Sequence, residues 1–334
     1  MFPAVLVLAA VAAGSVPAAS ALASARWPVR SPAAAIVLWQ ALGLGWGLAA
    51  VGALAGLGGL GGAGRSYPDE GQHAGVARAA LTVAIRAVRG VPFGPRAGGA
   101  VRDLRLVFVA AGLVLLMLLC WVLVAAFAAV LRARRRQREL LSLLAHGDPK
   151  VPGALVVDHP AAAAYCVPGL RSRIVISAGT LELLDQAELA AVLAHERAHL
   201  RERHDLVLLP FTALLRAFRW SAVARRAEGA VALLVEMLAD DHALRHRPAS
   251  ELATALMRVG AAGSPVPSGT LAAAAGGAGG AGAAAAGGGG GEVAVRVARL
   301  LRPAPGLSAS AIALVCGTAV LLVAVPAAFL FVPC

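Results

Sequence analysis

Charged residues are scarce in this chain of 334 residues, and asparagine is absent. Only 14% of the residues are charged, whereas 59% are hydrophobic, and the mean hydropathy is +0.76. These values exclude an ordinary soluble protein and indicate a protein that resides in a membrane. Lys150 is the only lysine, so the net charge of +12 comes from arginine, a bias that is typical of a GC-rich genome.

Cysteine is also rare, since the chain contains only four. They form no CxxC pair, and two of them, Cys120 and Cys316, lie within long apolar segments. This pattern excludes a disulfide framework and a zinc site built from cysteines. The abundant arginines cluster beside apolar segments, and no nucleic-acid motif accompanies them. We therefore interpret them as flanks of membrane spans that contact lipid, and expect no direct binding of nucleic acid.

Four apolar segments approach or exceed the roughly 20 residues that a helix needs to cross a bilayer. They lie at about 3–24, 33–60, 104–131 and 307–332. The second is rich in glycine, which predicts close packing between helices. The first is alternatively a cleaved signal peptide, because "ASALASA" resembles a cleavage site. It lacks a basic beginning, however, and Arg26 and Arg30 follow it, so a retained span is favoured.

The arginine-rich run "RARRRQR", residues 132–138, predicts the orientation of the chain in a cell membrane. Basic residues beside a span stay on the cytoplasmic side, so residues 132–305 are expected there. The loop 64–103 and both termini are then outside. That loop carries six arginines, which fits this multi-pass arrangement less well.

These boundaries predict four regions. Residues 1–131 form a membrane region with three spans, 132–260 a cytoplasmic domain, 261–305 a Gly/Ala-rich linker with a short basic helix, and 306–334 a fourth span. Within the cytoplasmic domain, the β-branched runs "LVV" and "RIVIS" predict a small sheet or hairpin. We hypothesise that "RIVIS", residues 173–177, pairs with an extended substrate by strand addition.

The stretch "LAHERAHLRERHD", residues 193–205, places two histidines four residues apart with a glutamate between them. The helical spacing of the neighbouring apolar residues predicts a helix here, so His195 and His199 share one face. Two imidazoles on one face suit zinc, and Glu196 beside them can take a proton from a water that the metal activates. The alternative, a solvated charged helix, explains the apolar spacing less well.

A third metal ligand must come from elsewhere in the chain, and the best candidate lies in "VALLVEMLADDHALRHR". Glu236 is bracketed by apolar residues, where an unpaired carboxylate would be costly. Asp240 lies four residues later on the same helical face. It is expected to hydrogen-bond the distal nitrogen of a zinc-bound histidine and so fix its orientation.

Several neighbouring residues remain alternatives. Asp241 is a second candidate for the third ligand, and His204 is ambiguous. His242 and His246 are also four residues apart, but no glutamate lies between them, so we interpret them as solvated helix residues. A metzincin motif is excluded, because the positions where it requires glycine and histidine are Glu202 and Asp205.

The run "AYCVPGLRSRIVISAGTLELLDQAELAAVLAHERAHLRERHD", followed by "EMLADDHA", resembles the BlaR/MecR-like family of integral-membrane zinc metallopeptidases. That family is related to the HtpX and CAAX prenyl protease group. The resemblance is specific over about residues 155–246 and implies a mainly α protein, with a cytoplasmic α+β zincin-like peptidase domain between spans three and four. It also implies His195, His199 and Glu236 as ligands of one zinc ion per chain, and Glu196 as the catalytic glutamate.

Two departures from the resemblance stand out. No penicillin-binding sensor follows the fourth span, so we expect no sensing of beta-lactams by that route. Where the HtpX group has an asparagine before the strand beside the active site, this chain has Ala163.

The expected function is therefore an integral-membrane zinc metalloendopeptidase that hydrolyses a cytoplasmic or membrane-associated protein. Regulatory cleavage of a transcriptional repressor is the favoured role, and quality control of membrane proteins is the alternative. A non-catalytic, zinc-stabilised scaffold is the third possibility. Glu196 argues against a scaffold, because a purely structural zinc site has no need of a general base.

Overall fold

The computed structural model describes residues 2–58, 99–147, 151–167, 173–262 and 289–331. Within these ranges the protein is mainly helical, with one small sheet. The helices are α1 Phe2–Ser24, α2 Pro32–Leu57, α3 Gly99–Leu144, α4 Ala178–Leu183, α5 Gln186–Glu202, α6 His204–Ala217, α7 Ala222–Ala243, α8 Ala249–Ala261, α9 Gly289–Leu301 and α10 Ala309–Phe331. A short 3-10 helix, Trp27–Arg30, follows α1.

Four of these helices are long and apolar enough to cross a membrane, namely α1, α2, α3 and α10. Helix α3 continues past the predicted end of the third apolar segment at residue 131 and includes the arginine-rich run. Arginine, alanine and glutamine all favour helical backbone, so nothing in this run ends the helix. One continuous helix therefore joins an apolar segment to residues of the following domain. The loop 64–103 falls almost entirely outside the described residues.

The chain divides into two compact units, and the first consists of residues 1–22, 37–121 and 312–334. Its helices approach one another closely where α2 carries glycine. A Cβ atom added at Gly45 would lie 2.5 Å from the carbonyl oxygen of Leu322 in α10. Any side chain at position 45 would therefore collide with α10, and only glycine lets the two helices approach this closely. The glycine-rich segment predicts such close packing between helices.

The second unit consists of residues 23–36 and 122–311 and contains the sheet. The strands are β1 Ala145–Gly147, β2 Ala154–Val157, β3 Ala164–Val167 and β4 Arg173–Ser177, in the order β1-β2-β4-β3. Strands β2 and β4 pair in parallel, whereas β1 and β3 pair antiparallel to their neighbours. The expected sheet is present, but "LVV" and "RIVIS" do not form a hairpin with each other.

Strand β4 is an interior strand, with β2 on one side and β3 on the other. The hypothesis that "RIVIS" pairs with substrate is therefore wrong, because its backbone groups already pair within the sheet. Its residues 174–177 are all buried, as expected for a strand covered on both faces. Strand β3 lies at the end of the sheet instead.

Helices α5 and α8 pack against the sheet through a core that includes Ile174, Ile176, Leu189 and Ala255. Helix α5 starts at a capping box, in which the Asp185 carboxylate accepts from the Glu188 backbone N–H and the Glu188 carboxylate accepts from that of Asp185. This box fixes where the helix begins, and so fixes the turn from which its histidines project.

Helix α9 packs on α8 through the apolar stripe Val293, Val297 and Leu300. Residues 263–288, most of the predicted Gly/Ala linker, lie outside the described part of the chain. Helix α9 corresponds to the short basic helix that is predicted within residues 261–305, and one of its arginines reaches the site described next.

Candidate metal centre

Helices α5 and α7 present three ligand-type side chains to one point. Nε2 of His195 lies 3.1 Å from Nε2 of His199. Oε2 of Glu236 lies 3.3 Å from Nε2 of His195, and its Oε1 lies 3.5 Å from Nε2 of His199. All three side chains are buried, and among the described residues they are the one group of three or more with this convergence.

The distances fit a zinc ion held by these atoms. Zinc ligands in proteins lie about 2.0–2.2 Å from the metal in tetrahedral geometry, which separates them from one another by roughly 3.3–3.6 Å. The 3.3 and 3.5 Å separations, which involve the two different oxygens of Glu236, fall in this range, and the 3.1 Å between the two histidine nitrogens lies just below it. Two imidazole nitrogens and a carboxylate are also the donor set of catalytic zinc sites.

The charge balance around these atoms also fits a divalent cation. Among the described residues, three buried carboxylates, those of Glu196, Glu236 and Asp240, meet one buried guanidinium, that of Arg296. In the protonation state that a metal site requires, with the three carboxylates ionised and the histidines neutral, these groups carry a net charge of about −2, and burying such an excess is costly unless a cation compensates it. Zn²⁺ would supply that compensation.

Asp240 lies behind His195, one helical turn beyond Glu236. Its Oδ1 atom is 3.0 Å from Nδ1 of His195, and the carboxylate is 1% exposed. Burial alone lowers the pKa of His195, but the contacts with Asp240 and Glu236 outweigh burial and raise that pKa to about 9. Asp240 and Glu236 therefore favour a positive charge on the His195 ring. A metal ion bound to Nε2 of His195 would supply that charge in place of a proton.

Arg296 of α9 connects the two carboxylates on α7. It donates from Nε and Nη2 to the two oxygens of Asp240, at 2.9 and 2.6 Å. Its Nη1 lies 3.0 Å from Oε2 of Glu236. Burial raises the pKa of Glu236, but His199 and Arg296 outweigh it and hold that pKa well below its ordinary range. Glu236 is therefore ionised, as a metal ligand must be.

Glu196 is buried beside the convergent atoms and lines a cavity of about 50 Å³ together with His195 and Glu236. The rest of the cavity wall is largely apolar, with Val192, Leu252 and Leu256 among its residues. Burial raises the pKa of Glu196, and the nearby charge of Glu236 adds to this, whereas the two histidines oppose it. A carboxylate whose pKa is shifted in this direction holds a proton more readily than an ordinary glutamate, which suits a group that must accept a proton and return it.

A second set of contacts lies behind His199. Its Nδ1 atom is 2.9 Å from Nδ1 of His204, whose Nε2 is 3.0 Å from Oε2 of Glu202. Burial, together with the charge of His199, lowers the pKa of His204 to about 4. His242 of α7 completes the set, with its Nε2 2.9 Å from Oε1 of Glu202.

The structure thus brings together all five residues that the sequence singled out: His195, Glu196, His199, Glu236 and Asp240. Of the alternatives, Asp241 points away and pairs with Arg299. The expectation of a solvated side chain is wrong for His242, which is partly buried against Glu202, but holds for His246, which is exposed.

The sequence interpretation missed the role of Arg296 and left that of His204 open. Arg296 has a detectable signal, because it interrupts the apolar stripe Val293, Val297 and Leu300 of α9 at helical spacing. A lone arginine on an apolar helix face requires a buried partner. No comparable signal marks His204, since its contact depends on how the chain turns at Arg203.

Residues 110–254 match the family model described as peptidase family M48. No curated protein and no solved structure matches the chain. The matched segment contains both histidines, Glu196, Glu236 and Asp240, and it ends before Arg296. The match and the His/His/Glu group together support a metallopeptidase of family M48 for this part of the chain.

Proposed function

We propose that this protein is an integral-membrane zinc metalloendopeptidase, with His195, His199 and Glu236 as ligands of one zinc ion and Glu196 as the catalytic base. The observation that carries the proposal is the convergence of three buried ligand atoms within 4.8 Å of one another, with a further buried carboxylate, that of Glu196, beside them. A structural zinc site would close its fourth position with another protein ligand. Here that side is lined by Glu196 and the cavity.

Zn²⁺ bound by His195, His199 and Glu236 would supply Lewis-acid polarisation of a peptide carbonyl and would activate water near neutral pH. Glu196 removes the proton from the attacking water and later delivers it to the amine that leaves. Asp240 holds the ring of His195 from its Nδ1 side, and Arg296 fixes the carboxylate of Asp240 in turn. The buried surroundings keep bulk water away from the reacting groups.

Strand β3 is the best candidate for the element that binds the substrate backbone. It lies at the end of the sheet, and its Ala164 lines the cavity. Burial raises the pKa of its Cys166 thiol, and the nearby charge of Glu196 raises that pKa further, so this strand lies close to Glu196. An extended peptide added to this edge would pass beside Glu196. Recognition would then depend mainly on the exposed backbone of the substrate.

We place residues 132–305, here called the peptidase unit, on the cytoplasmic side of the cell membrane. The arginine-rich run 132–138, which follows an apolar segment, supports this placement. A cytoplasmic regulator, such as a transcriptional repressor, is the substrate class that the BlaR/MecR resemblance favours. Turnover of damaged membrane proteins is the alternative role of the same site. Comparing the intact proteomes of cells with active protein and with Glu196→Gln would separate these roles, since a single accumulating regulator supports the first.

The first experiment measures zinc per chain in the full-length protein purified in detergent. We expect about one zinc in the wild type, loss of zinc in His199→Ala and Glu236→Ala, and retention in Glu196→Gln. Hydrolysis of a labelled unfolded protein should fall by about 10²–10⁴-fold in Glu196→Gln, because that variant lacks the base. His246→Ala and Glu228→Ala are matched controls, since both residues lie outside the convergent group.

Each outcome has a defined meaning. Zinc retained in Glu236→Ala would remove Glu236 from the ligand set. Zinc bound by the wild type, with hydrolysis unchanged in Glu196→Gln, would leave a zinc-stabilised scaffold. Absence of zinc from the wild type would overturn the metal site itself.

A further inference from the structure

His199 is held from behind by another histidine. The Nδ1 atoms of His199 and His204 lie 2.9 Å apart, and the two rings meet edge to face with centroids 4.8 Å apart. Both side chains are buried, His204 with only 2% of its surface exposed. Two ring nitrogens at this distance share one hydrogen atom between them.

The surrounding contacts indicate which ring carries that hydrogen. Nε2 of His204 faces a carboxylate oxygen of Glu202 at 3.0 Å, and a carboxylate only accepts, so His204 is protonated on Nε2. In a neutral His204 the Nδ1 atom is then the acceptor, and the shared hydrogen belongs to His199. This leaves the lone pair of His199 on Nε2, the atom that faces His195 and Glu236.

Glu202 is itself fixed from a different helix. Its other oxygen, Oε1, lies 2.9 Å from Nε2 of His242 on α7. The carboxylate therefore joins one histidine of α6 and one of α7, and its position does not depend on α5 alone. One connected set of contacts thus runs from His242 through Glu202 and His204 to His199.

We propose that His204, oriented by Glu202, is a positioning residue that fixes the tautomer and ring orientation of His199 for metal binding. This inference rests on the proposed zinc site and adds a residue that touches neither metal nor substrate. Metal-binding histidines commonly donate their second N–H to an acceptor, and loss of that acceptor costs about 10–100-fold in metal affinity. Here the acceptor is an imidazole nitrogen.

The test compares His204→Leu with His204→Asn in the full-length protein in detergent. The two substitutions have nearly the same shape, and both remove the ring and its contact with Glu202. Only asparagine retains an acceptor near the position of Nδ1. We expect His204→Leu to weaken Zn²⁺ binding by about 10–100-fold in competition with a chelator, and His204→Asn to stay within a few-fold of the wild type.

A spectroscopic readout separates positioning from general loss of stability. With Co²⁺ in place of zinc, the visible absorption bands should shift or broaden in His204→Leu and stay close to the wild type in His204→Asn. The exposed His246→Leu is the matched control and should leave both measurements unchanged. Thermal melting of each metal-free variant checks that all are folded.

The outcomes distinguish this inference from the proposed zinc site. Equal loss of affinity in the leucine and asparagine variants would overturn it in favour of a packing role, and so would wild-type affinity in both. In either case the zinc site itself would stand, provided that the wild type binds zinc and His199→Ala does not. A wild type without zinc overturns the site and the inference together.

Discussion

Arg296 and Glu236 are joined directly, with Nη1 of the guanidinium 3.0 Å from Oε2 of the carboxylate. The same guanidinium holds both oxygens of Asp240. Arg296 belongs to α9, which follows the Gly/Ala-rich stretch of the sequence, whereas both carboxylates belong to α7. One buried cation from a distant part of the chain thus stabilises two of the carboxylates at the candidate metal centre.

Replacing Arg296 by methionine should strongly destabilise the peptidase unit. The substitution preserves much of the volume but leaves Glu236 and Asp240 buried together without their cation, which costs about 3–5 kcal/mol in unfolding free energy. The measurement is chemical denaturation of the detergent-purified protein in the presence of a chelator. Zinc should offset part of the loss, because it also compensates the charge of Glu236.

Arg299→Met is the matched control for Arg296→Met. Arg299 lies on the same helix and also holds an aspartate with two contacts, but that aspartate, Asp241, is about one-third exposed. Solvent screens such a pair, but Nε of Arg299 also donates to the carbonyl of Val29 at 2.8 Å, so the loss of Arg299 should cost about 1–2 kcal/mol, less than the loss of Arg296. Equal destabilisation in the two variants would contradict the role assigned to Arg296.

Strand β3 provides a test of substrate binding. The backbone N–H of Ser177 donates to the carbonyl of Ala163 at 2.8 Å. Hydrogen-bonded and non-hydrogen-bonded residue pairs alternate along antiparallel strands, so the backbone N–H and C=O of the next residue, Ala164, point away from β4. Proline at 164 would remove an outward N–H without breaking the ladder. We expect Ala164→Pro to reduce hydrolysis at least about tenfold while the protein keeps its zinc.

Ala164→Ser is the companion variant, since it changes the side chain but keeps the N–H. It should hydrolyse substrate at nearly the wild-type rate. If the proline variant is as active as the serine variant, substrate does not pair with β3 at this residue.

Arg134 and Asp205 form a buried ion pair between α3 and α6. Arg134→Met should leave Asp205 as an uncompensated buried charge and lower the unfolding free energy by about 3–5 kcal/mol. The double variant Arg134→Met with Asp205→Leu replaces the pair by apolar groups and should be more stable than either single variant. Arg135→Met, an exposed position one residue along, controls for the lost charge.

The double-mutant cycle gives the decisive number for this pair. Denaturation of the four proteins yields a coupling energy, which should be at least about 1 kcal/mol for residues in direct contact. Additive losses would show that the two side chains act independently.

Arg203 connects α5 and α6 in a left-handed conformation, with φ of 52°. It is the single non-glycine residue with positive φ in the described part of the chain. Arg203→Val should lower the unfolding free energy by about 1–2 kcal/mol, because a β-branched residue fits this conformation poorly, whereas Arg203→Gly should cost less. Both variants lose the same exposed side chain, so a comparison of their denaturation curves isolates the backbone effect.

The Arg203 comparison also reports on the metal site. If the left-handed turn places His204 against His199, Arg203→Val should weaken zinc binding more than Arg203→Gly does. Identical stability and affinity in the two variants would show that this turn is not constrained.

The helices and the convergent residues were predictable because their signals are local. Helical spacing alone puts His195 and His199 on one face and Asp240 one turn beyond Glu236. The four apolar helices were equally predictable, because their length and hydropathy can be read directly from the sequence. Local signals also predicted the presence of strands at "LVV" and "RIVIS", although not how they pair.

The remaining features depend on contacts between distant segments. Parallel pairing of β2 with β4 requires a crossover, and a sequence of short strands does not distinguish it from a hairpin. The contact of His204 with His199 depends on the backbone conformation of Arg203, which propensity does not favour for arginine. The sequence shows Arg296 only as a charged residue on an apolar helix face. It does not identify the partners of Arg296, because they lie 56 and 60 positions earlier in the chain.

The position of Arg296 has a practical consequence for the design of fragments. The match to the M48 family ends at residue 254, and α8 ends at Ala261, so either point looks like a natural place to stop a recombinant peptidase unit. A fragment that stopped there would keep every proposed zinc ligand yet lack the cation between Glu236 and Asp240. Such a fragment would contain the complete sequence motif, but its buried carboxylates would lack their compensating positive charge. Residues 289–301 must therefore be supplied, in the same chain or as a separate peptide, for such a fragment to reproduce this site.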